Sequence, residues 1–164
     1  MNPTAAGANP YAPPKAQVTD VAAEGAAPPI WNPNAAASWS LLFSPAFGAF
    51  LQMLNWRALG RQQKADDARG WFIVSLAMLA VYVFIGVLVE PKAADAISRA
   101  VGLGYLLVWY FAAGREQAKY VKEKWGKDYP RRGWGKPLLL AVAAFAGYFL
   151  VAVGVGIAVG LARA

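Results

Sequence analysis

The sequence predicts an all-α integral membrane helical bundle. Its parts are three transmembrane helices, a Pro-broken re-entrant or interfacial helix pair, and a disordered N-terminal tail. Three observations predict it. Hydrophobic residues make up 58% of the 164-residue chain and charged residues 15%, against about 45–50% and about 25% in soluble domains. Two long stretches, 71–89 and 138–162, carry no charge at all. The basic residues, finally, alternate in density from one connection to the next, as the connections of a multi-pass protein do.

Residues 1–34 read as a Pro/Ala-rich tail. Pro3, Pro10, Pro13, Pro14, Pro28, Pro29 and Pro33 punctuate it, with Pro45 just inside the next segment. Its charges are Lys15, Asp20 and Glu24. Such a stretch buries too little apolar surface to offset its ordering entropy, so disorder with polyproline-II character is expected. No basic n-region with an apolar run opens the chain, so the internal segments are expected to act as uncleaved signals. Within the tail, NPYAPPKAQV (9–18) resembles the short tail before the first hydrophobic segment of many small inner-membrane proteins of proteobacteria. Some of those carry RDD-type or unknown-function membrane domains. The resemblance implies a class and transfers no site residue; Tyr11 is the anchor if the tail docks, and the tail is otherwise a tether.

The membrane domain is expected over 35–164. Its first piece, 35–60, contains Ser44-Pro45, a helix-start signature, and Gly60, a helix stop. Pro45 to Leu59 makes a helix of roughly 22 Å, too short to span unaided. Ser44, Gly48, Gln52 and Asn55 share one face at i, i+4, i+8 and i+11. A small-and-polar strip on an apolar helix should face protein or headgroups. That favours a helix–break–helix that dips into or lies along one leaflet. The alternative is one continuous helix, kinked at Pro45, that spans.

Residues 71–89, WFIVSLAMLAVYVFIGVLV, make about 28 Å of helix, the thickness of the hydrocarbon. They are apolar all round, which suits lipid. The span expected over 93–113 is less clean. A start near Pro91 sets Asp95 and Arg99 one turn apart as an i,i+4 pair, either an interfacial end group or an intramembrane site. Residues 138–162 span with room for tilt, with Pro137 expected at the first helical position. There Ala152, Gly156 and Gly160 form a small-residue ridge containing a GxxxG, a candidate helix-packing surface within or between chains.

Basic residues number four in 57–70 (Arg57, Arg61, Lys64, Arg69), two in 90–99 (Lys92, Arg99), eight in 114–137, and one, Arg163, after the last span. The positive-inside bias puts 57–70 and 114–137 in the cytoplasm and the C-terminus outside a bacterial inner membrane. Trp56, Trp71, Trp125 and Trp134 flank the same boundary as an aromatic belt.

The 114–137 connection, GREQAKYVKEKWGKDYPRRGWGKP, carries Arg115, Lys119, Lys122, Lys124, Lys127, Arg131, Arg132 and Lys136 against three acids, a net +5. Its first half is expected to be helical, with Ala118, Val121 and Trp125 as a narrow apolar stripe and Gly126 as its stop. The eight cations with Trp125 and Trp134 are the candidate contacts to anionic headgroups or to a protein partner; the plain alternative is an ordinary positive-inside loop. A stretch clamped between two spans makes a poor groove for nucleic acid, so none is expected.

Catalytic side chains are scarce. There is no Cys and no His, which removes thiol nucleophiles, the usual Zn ligand sets and His bases. Asp66–Asp67 is the one adjacent acidic pair and sits among basic residues as a solvated face. No P-loop, nucleophile elbow or dinucleotide fingerprint appears. No cofactor or metal is expected. The expected role is therefore a non-enzymatic accessory or interaction component, able to self-associate. An oligomeric transport or channel subunit is the alternative, and a lipid-active enzyme built on Asp95 and Arg99 is a third reading.

Overall fold

The computed structural model describes residues 25–164. The predicted tail lies largely outside the described residues, and with it NPYAPPKAQV and Tyr11. Five helices follow: α1 (Pro33–Phe43), α2 (Pro45–Ala58), α3 (Gln62–Leu88), α4 (Pro91–Trp125) and α5 (Gly135–Arg163). Among the described residues the one β-type pairing is an isolated parallel bridge between Ile30 and Arg131.

α3, α4 and α5 are each long and apolar enough to cross a bilayer. Only 6% of the apolar window of each is buried inside the protein. Phe84, Leu88, Leu103, Phe111, Phe145 and Leu150 are among the large side chains left facing outward. Water would not tolerate so continuous an apolar exterior, whereas acyl chains solvate it. The chain is thus a multi-pass membrane protein. α3 and α5 meet along the half away from the basic end, through Tyr148 Oη donating to Leu79 O at 3.2 Å and Arg163 Nη1 donating to Val87 O at 3.4 Å.

α1 and α2 are too short to cross, at roughly 16 and 21 Å. They fold back on one another: Trp31 pairs with Asn55 before α1, and Ser40 meets Gly48 near the tip. This antiparallel register puts both ends of the pair at one end of the bundle, with Ser44 at the tip. The continuous kinked helix does not form. Ser44 breaks the chain at φ 76°, ψ 162°, a region that only glycine adopts freely and that costs another residue on the order of 1–3 kcal/mol. Its expected side-chain cap is absent; the first turn of α2 is closed by Phe47 N–H donating to Ser44 O at 3.2 Å. Gly60 (φ 68°) and Gly126 (φ 63°) end helices where the sequence marks them.

Three boundaries differ from expectation. Gly114 does not separate a span from a loop, because α4 runs through a π-turn at Tyr110–Gly114 and on to Trp125. α5 starts two residues before Pro137, which sits in the first turn, where backbone N–H groups lack intrahelical acceptors anyway. Residues 25–34, inside the expected tail, also pack against the rest of the chain. Ile30 is fully buried, donating to Pro130 O at 3.2 Å and accepting from Arg132 N at 2.9 Å.

Packing concentrates at the end of the bundle that carries 57–70 and 114–137, the basic end. Met53, Trp56, Ala65 and Ala68 form a core there, with Phe50, Leu54, Leu59 and Tyr120 against it. Deeper, Trp109 is fully buried beside Gly48. A Cβ at Gly48 would collide with Ser40 Oγ and the Trp109 ring, so glycine is what lets α2 approach α4. Gly48→Leu is predicted to destabilise the protein by about 1–3 kcal/mol through overpacking. Gly70→Ala, at a helical glycine with open space around it, should instead stabilise by up to about 1 kcal/mol. Thermal unfolding in mild detergent reads both; shifts of the same sign would refute the close approach at Gly48.

Candidate functional site

The basic end is organised around three buried side-chain amides. Gln52 and Asn55 come from the polar face of α2, and Gln117 comes from α4 just past the π-turn; none is more than 1% exposed. A π-turn widens the helix and leaves carbonyls poorly matched to its own N–H groups. Gln52 Nε2 meets that need, donating to Gly114 O at 2.9 Å and Ala113 O at 3.3 Å. Gln117 Nε2 donates back to Gln52 O at 3.0 Å. Asn55 Nδ2 donates to Gln117 Oε1 at 2.9 Å and to Trp31 O at 2.8 Å, while Asn55 Oδ1 accepts from Trp31 N at 3.0 Å. The amides thus tie the segment before α1, the hairpin and the turn in α4 into one unit.

Around this unit the eight predicted cations of 114–137 come to one end of the molecule, all exposed except half-buried Arg132. Several lie over aromatic rings: Arg115 over Phe111 at 5.1 Å, Lys124 over Trp125 at 4.7 Å, Arg131 over Tyr129 at 5.3 Å and Arg132 over Trp31 at 4.8 Å. Such stacking attracts a guanidinium or ammonium by about 0.5–1 kcal/mol at an exposed site and so helps to hold it in place. Two of the three nearby acids are engaged. Glu116 pairs with Lys64 at 2.7 Å, and Glu123 lies 3.8 Å from Lys119. Among the described residues, no carboxylate lies within ion-pair distance of Arg115, Lys122, Lys124, Lys127, Arg131, Arg132 or Lys136. The Glu116 hydrogen bond pushes the Lys64 pKa up. Arg61, which donates to Tyr120 Oη at 3.3 Å, pulls the Tyr120 phenol down.

Trp125 and Trp134 are half-buried structural groups as well as surface ones. Trp125 Nε1 donates to Gly25 O, and Trp134 packs on Trp39 with ring centroids 6.5 Å apart. The predicted ridge on the last span stays outside this cluster. Ala152 is half-buried, while Gly156 and Gly160 are exposed with nothing within 4 Å of a would-be Cβ. Asp95 and Arg99 do pair, at 2.9 Å, with both side chains exposed.

Two cavities were not anticipated from sequence. One, of about 490 Å³, opens at the basic end between α2, α3 and α4, where Lys64, Asp67 and Glu116 stand above Trp56 and Trp71. The other, of about 420 Å³, lies deeper, between the hairpin tip, α3 and α4. Gln117 and Trp31 were also missed. Gln117 had a signal: it lies one turn before Val121, on the inward face, and is uncharged amid charged neighbours. Among the described residues no cluster of His, Cys, Asp or Glu could hold a metal ion.

Comparison with protein-family models, with curated proteins and with solved structures gives no match.

Removing the Asn55 amide leaves Trp31 N–H, Trp31 C=O and Gln117 Oε1 without their partner, at about 1–3 kcal/mol for each buried orphan. Asn55→Ala should therefore lower stability by more than about 2 kcal/mol and speed proteolysis around residues 25–33. Asn55→Asp should be worse, because it turns a carboxylate toward two acceptor oxygens. Limited proteolysis with mass mapping checks this; an unchanged cleavage pattern in both variants would contradict the tie to Trp31.

Proposed function

We propose that this chain is a small multi-pass protein of a bacterial inner membrane that acts without catalysis, as an accessory or interaction component. Its basic end is the working surface and takes anionic lipid headgroups. One observation carries this reading: seven cations gathered at one end, several laid on aromatic rings, with no carboxylate in ion-pair range among the described residues. A surface built for water alone would gain nothing from leaving them unneutralised. Beside an anionic leaflet each is worth about 1 kcal/mol.

The same charge pattern orients the molecule, with the basic end in the cytoplasm. The folded-back hairpin supports a cytoplasmic N-terminus, since Ile30 bridges Arg131 at that end. The resemblance of 9–18 to inner-membrane protein tails agrees with the compartment.

Two experiments test this reading. A phosphatase reporter active only in the periplasm should be silent when fused at residue 2 and active when fused after Ala164; the reverse pattern would reject the orientation. Native mass spectrometry of protein drawn from bacterial membranes in mild detergent should show retained phosphatidylglycerol or cardiolipin. The Lys122→Gln/Lys124→Gln/Lys127→Gln/Lys136→Gln variant should lose at least tenfold of it, from four contacts of about 1 kcal/mol each. Equal retention by both proteins would remove the lipid-binding role.

A further inference from the structure

The shallower cavity, of about 490 Å³, is an acidic recess in the otherwise basic end. Asp66 and Asp67 of α3 and Glu116 of α4 line it, against one base, Lys64. Lys64 takes up Glu116 at 2.7 Å, and Asp66 Oδ1 accepts from Gln62 Nε2 at 3.0 Å. Among the described residues Asp67 has no cation within ion-pair distance. All three carboxylates are exposed, so a group entering the recess can reach them. Seven uncompensated cations stand elsewhere at this end, and a recess of opposite sign is where a positive charge is favoured.

The floor of the recess makes a second, independent demand. Gln52 lines it and is 1% exposed. Gln52 Nε2 is spent on Gly114 O and Ala113 O, which fixes the orientation of the amide. Among the described residues no group donates to Gln52 Oε1. The unpaired side-chain atoms that are sealed from solvent are Ser44 Oγ, Tyr82 Oη and Trp109 Nε1. Gln52 Oε1 is not one of them, so it is unpaired and open to the cavity it lines. A buried acceptor requires a donor.

The walls between rim and floor carry the indoles of Trp56, 4% exposed, and half-buried Trp71, and indoles suit a cation. Among the described residues no three acidic groups are placed to hold a metal ion. An organic cation that carries N–H groups meets both demands, whereas a quaternary ammonium would leave Gln52 Oε1 unpaired. From Asp66 to Val74 the lining runs roughly 12 Å along α3. Val74 and Ala112 are exposed on the apolar side, so the recess meets water at its rim and acyl chains beside its floor.

We infer that this recess binds a primary ammonium group at the membrane–water boundary, with Gln52 Oε1 accepting its N–H and the carboxylates of Asp67 and Glu116 attracting its charge. Two sources present that group, the ethanolamine headgroup of a phospholipid and a soluble diamine.

The test uses the full-length protein in detergent micelles, with binding followed by tryptophan emission, since Trp56 and Trp71 line the recess. Probes are dihexanoylphosphatidylethanolamine and putrescine. Dihexanoylphosphatidylcholine, with the same phosphate and chains but no N–H, is the control. The wild type should bind one of the two amines saturably, and which one identifies the source; the choline lipid should bind at least tenfold more weakly. Asp67→Asn, at an exposed position, should weaken amine binding at least tenfold. Gly70→Leu keeps every carboxylate and adds bulk at a lining position with open space around it, so it should abolish binding without lowering the melting temperature. The Lys122→Gln/Lys124→Gln/Lys127→Gln/Lys136→Gln variant should bind the amine as the wild type does, because none of those lysines lines the recess. That separates this site from the surface proposed for anionic lipid. No saturable response to either amine would overturn the inference and leave the recess to water. So would equal binding of the choline lipid, or binding undiminished in either Asp67→Asn or Gly70→Leu.

Discussion

The basic end of the molecule depends on the side chain of Asn55. A carboxamide offers one acceptor and a two-hydrogen donor, and here each is used across a different boundary. The oxygen and one N–H hold Trp31 as a strand neighbour would, and the other N–H reaches Gln117 on α4. No apolar residue could join three segments this way. A half-satisfied network in a buried setting would be worse than none. The linked roles of Gln52 and Gln117 follow: with Gly114 and Ala113 left unusual by the π-turn, the chain needs a donor at that spot, and Gln52 supplies it.

That anchorage explains why packing is so uneven along the bundle. Toward the opposite end the helices are joined by isolated contacts such as Tyr148 to Leu79 and Arg163 to Val87. Between spans there is no hydrophobic driving force, since lipid tails are as apolar as leucine. At the basic end water is present, so Met53, Trp56, Ala65 and Ala68 gain from mutual burial as they would in a soluble protein. The protein therefore folds like a small soluble core from which three apolar helices extend. The hairpin belongs to both regimes, its base held in the polar network and its tip carried into the apolar zone.

Much of this was legible in the sequence, because a bilayer imposes length and polarity rules that composition alone reveals. The three spans, the break at Ser44-Pro45, the stops at Gly60 and Gly126 and the inward strip of Gly48, Gln52 and Asn55 all follow from such rules. What escaped reading depended on tertiary partners. Gly114 looks like a helix end, but in a π-turn held by Gln52 and packed on Trp109 it is internal. Pro28, Pro29 and Pro33 look like more of a disordered tail, but Ile30 between them finds a backbone partner a hundred residues away. Ser44 looks like an N-cap, but the fold uses its backbone carbonyl for that purpose and leaves its hydroxyl free. The candidate surface at 114–137 was visible because charge is additive along a chain. The cavities were not, because a cavity is a property of three elements at once.

Ser44 therefore brings the two regimes into one position. A helix pair that merely had to turn back in the membrane would be better served by glycine, which fits that backbone geometry without strain and adds no hydroxyl to be satisfied. Serine brings both burdens at once. Strain of this kind persists only where the surroundings over-determine it, and here the surroundings are rigid: Gly48 packed on Trp109 and Asn55 locked to Gln117 fix the hairpin from its middle to its base. Stability generated at the water-facing end is what allows an unfavourable residue to be held at depth. The amide network at the base and the free hydroxyl at the tip are in that sense two parts of one arrangement.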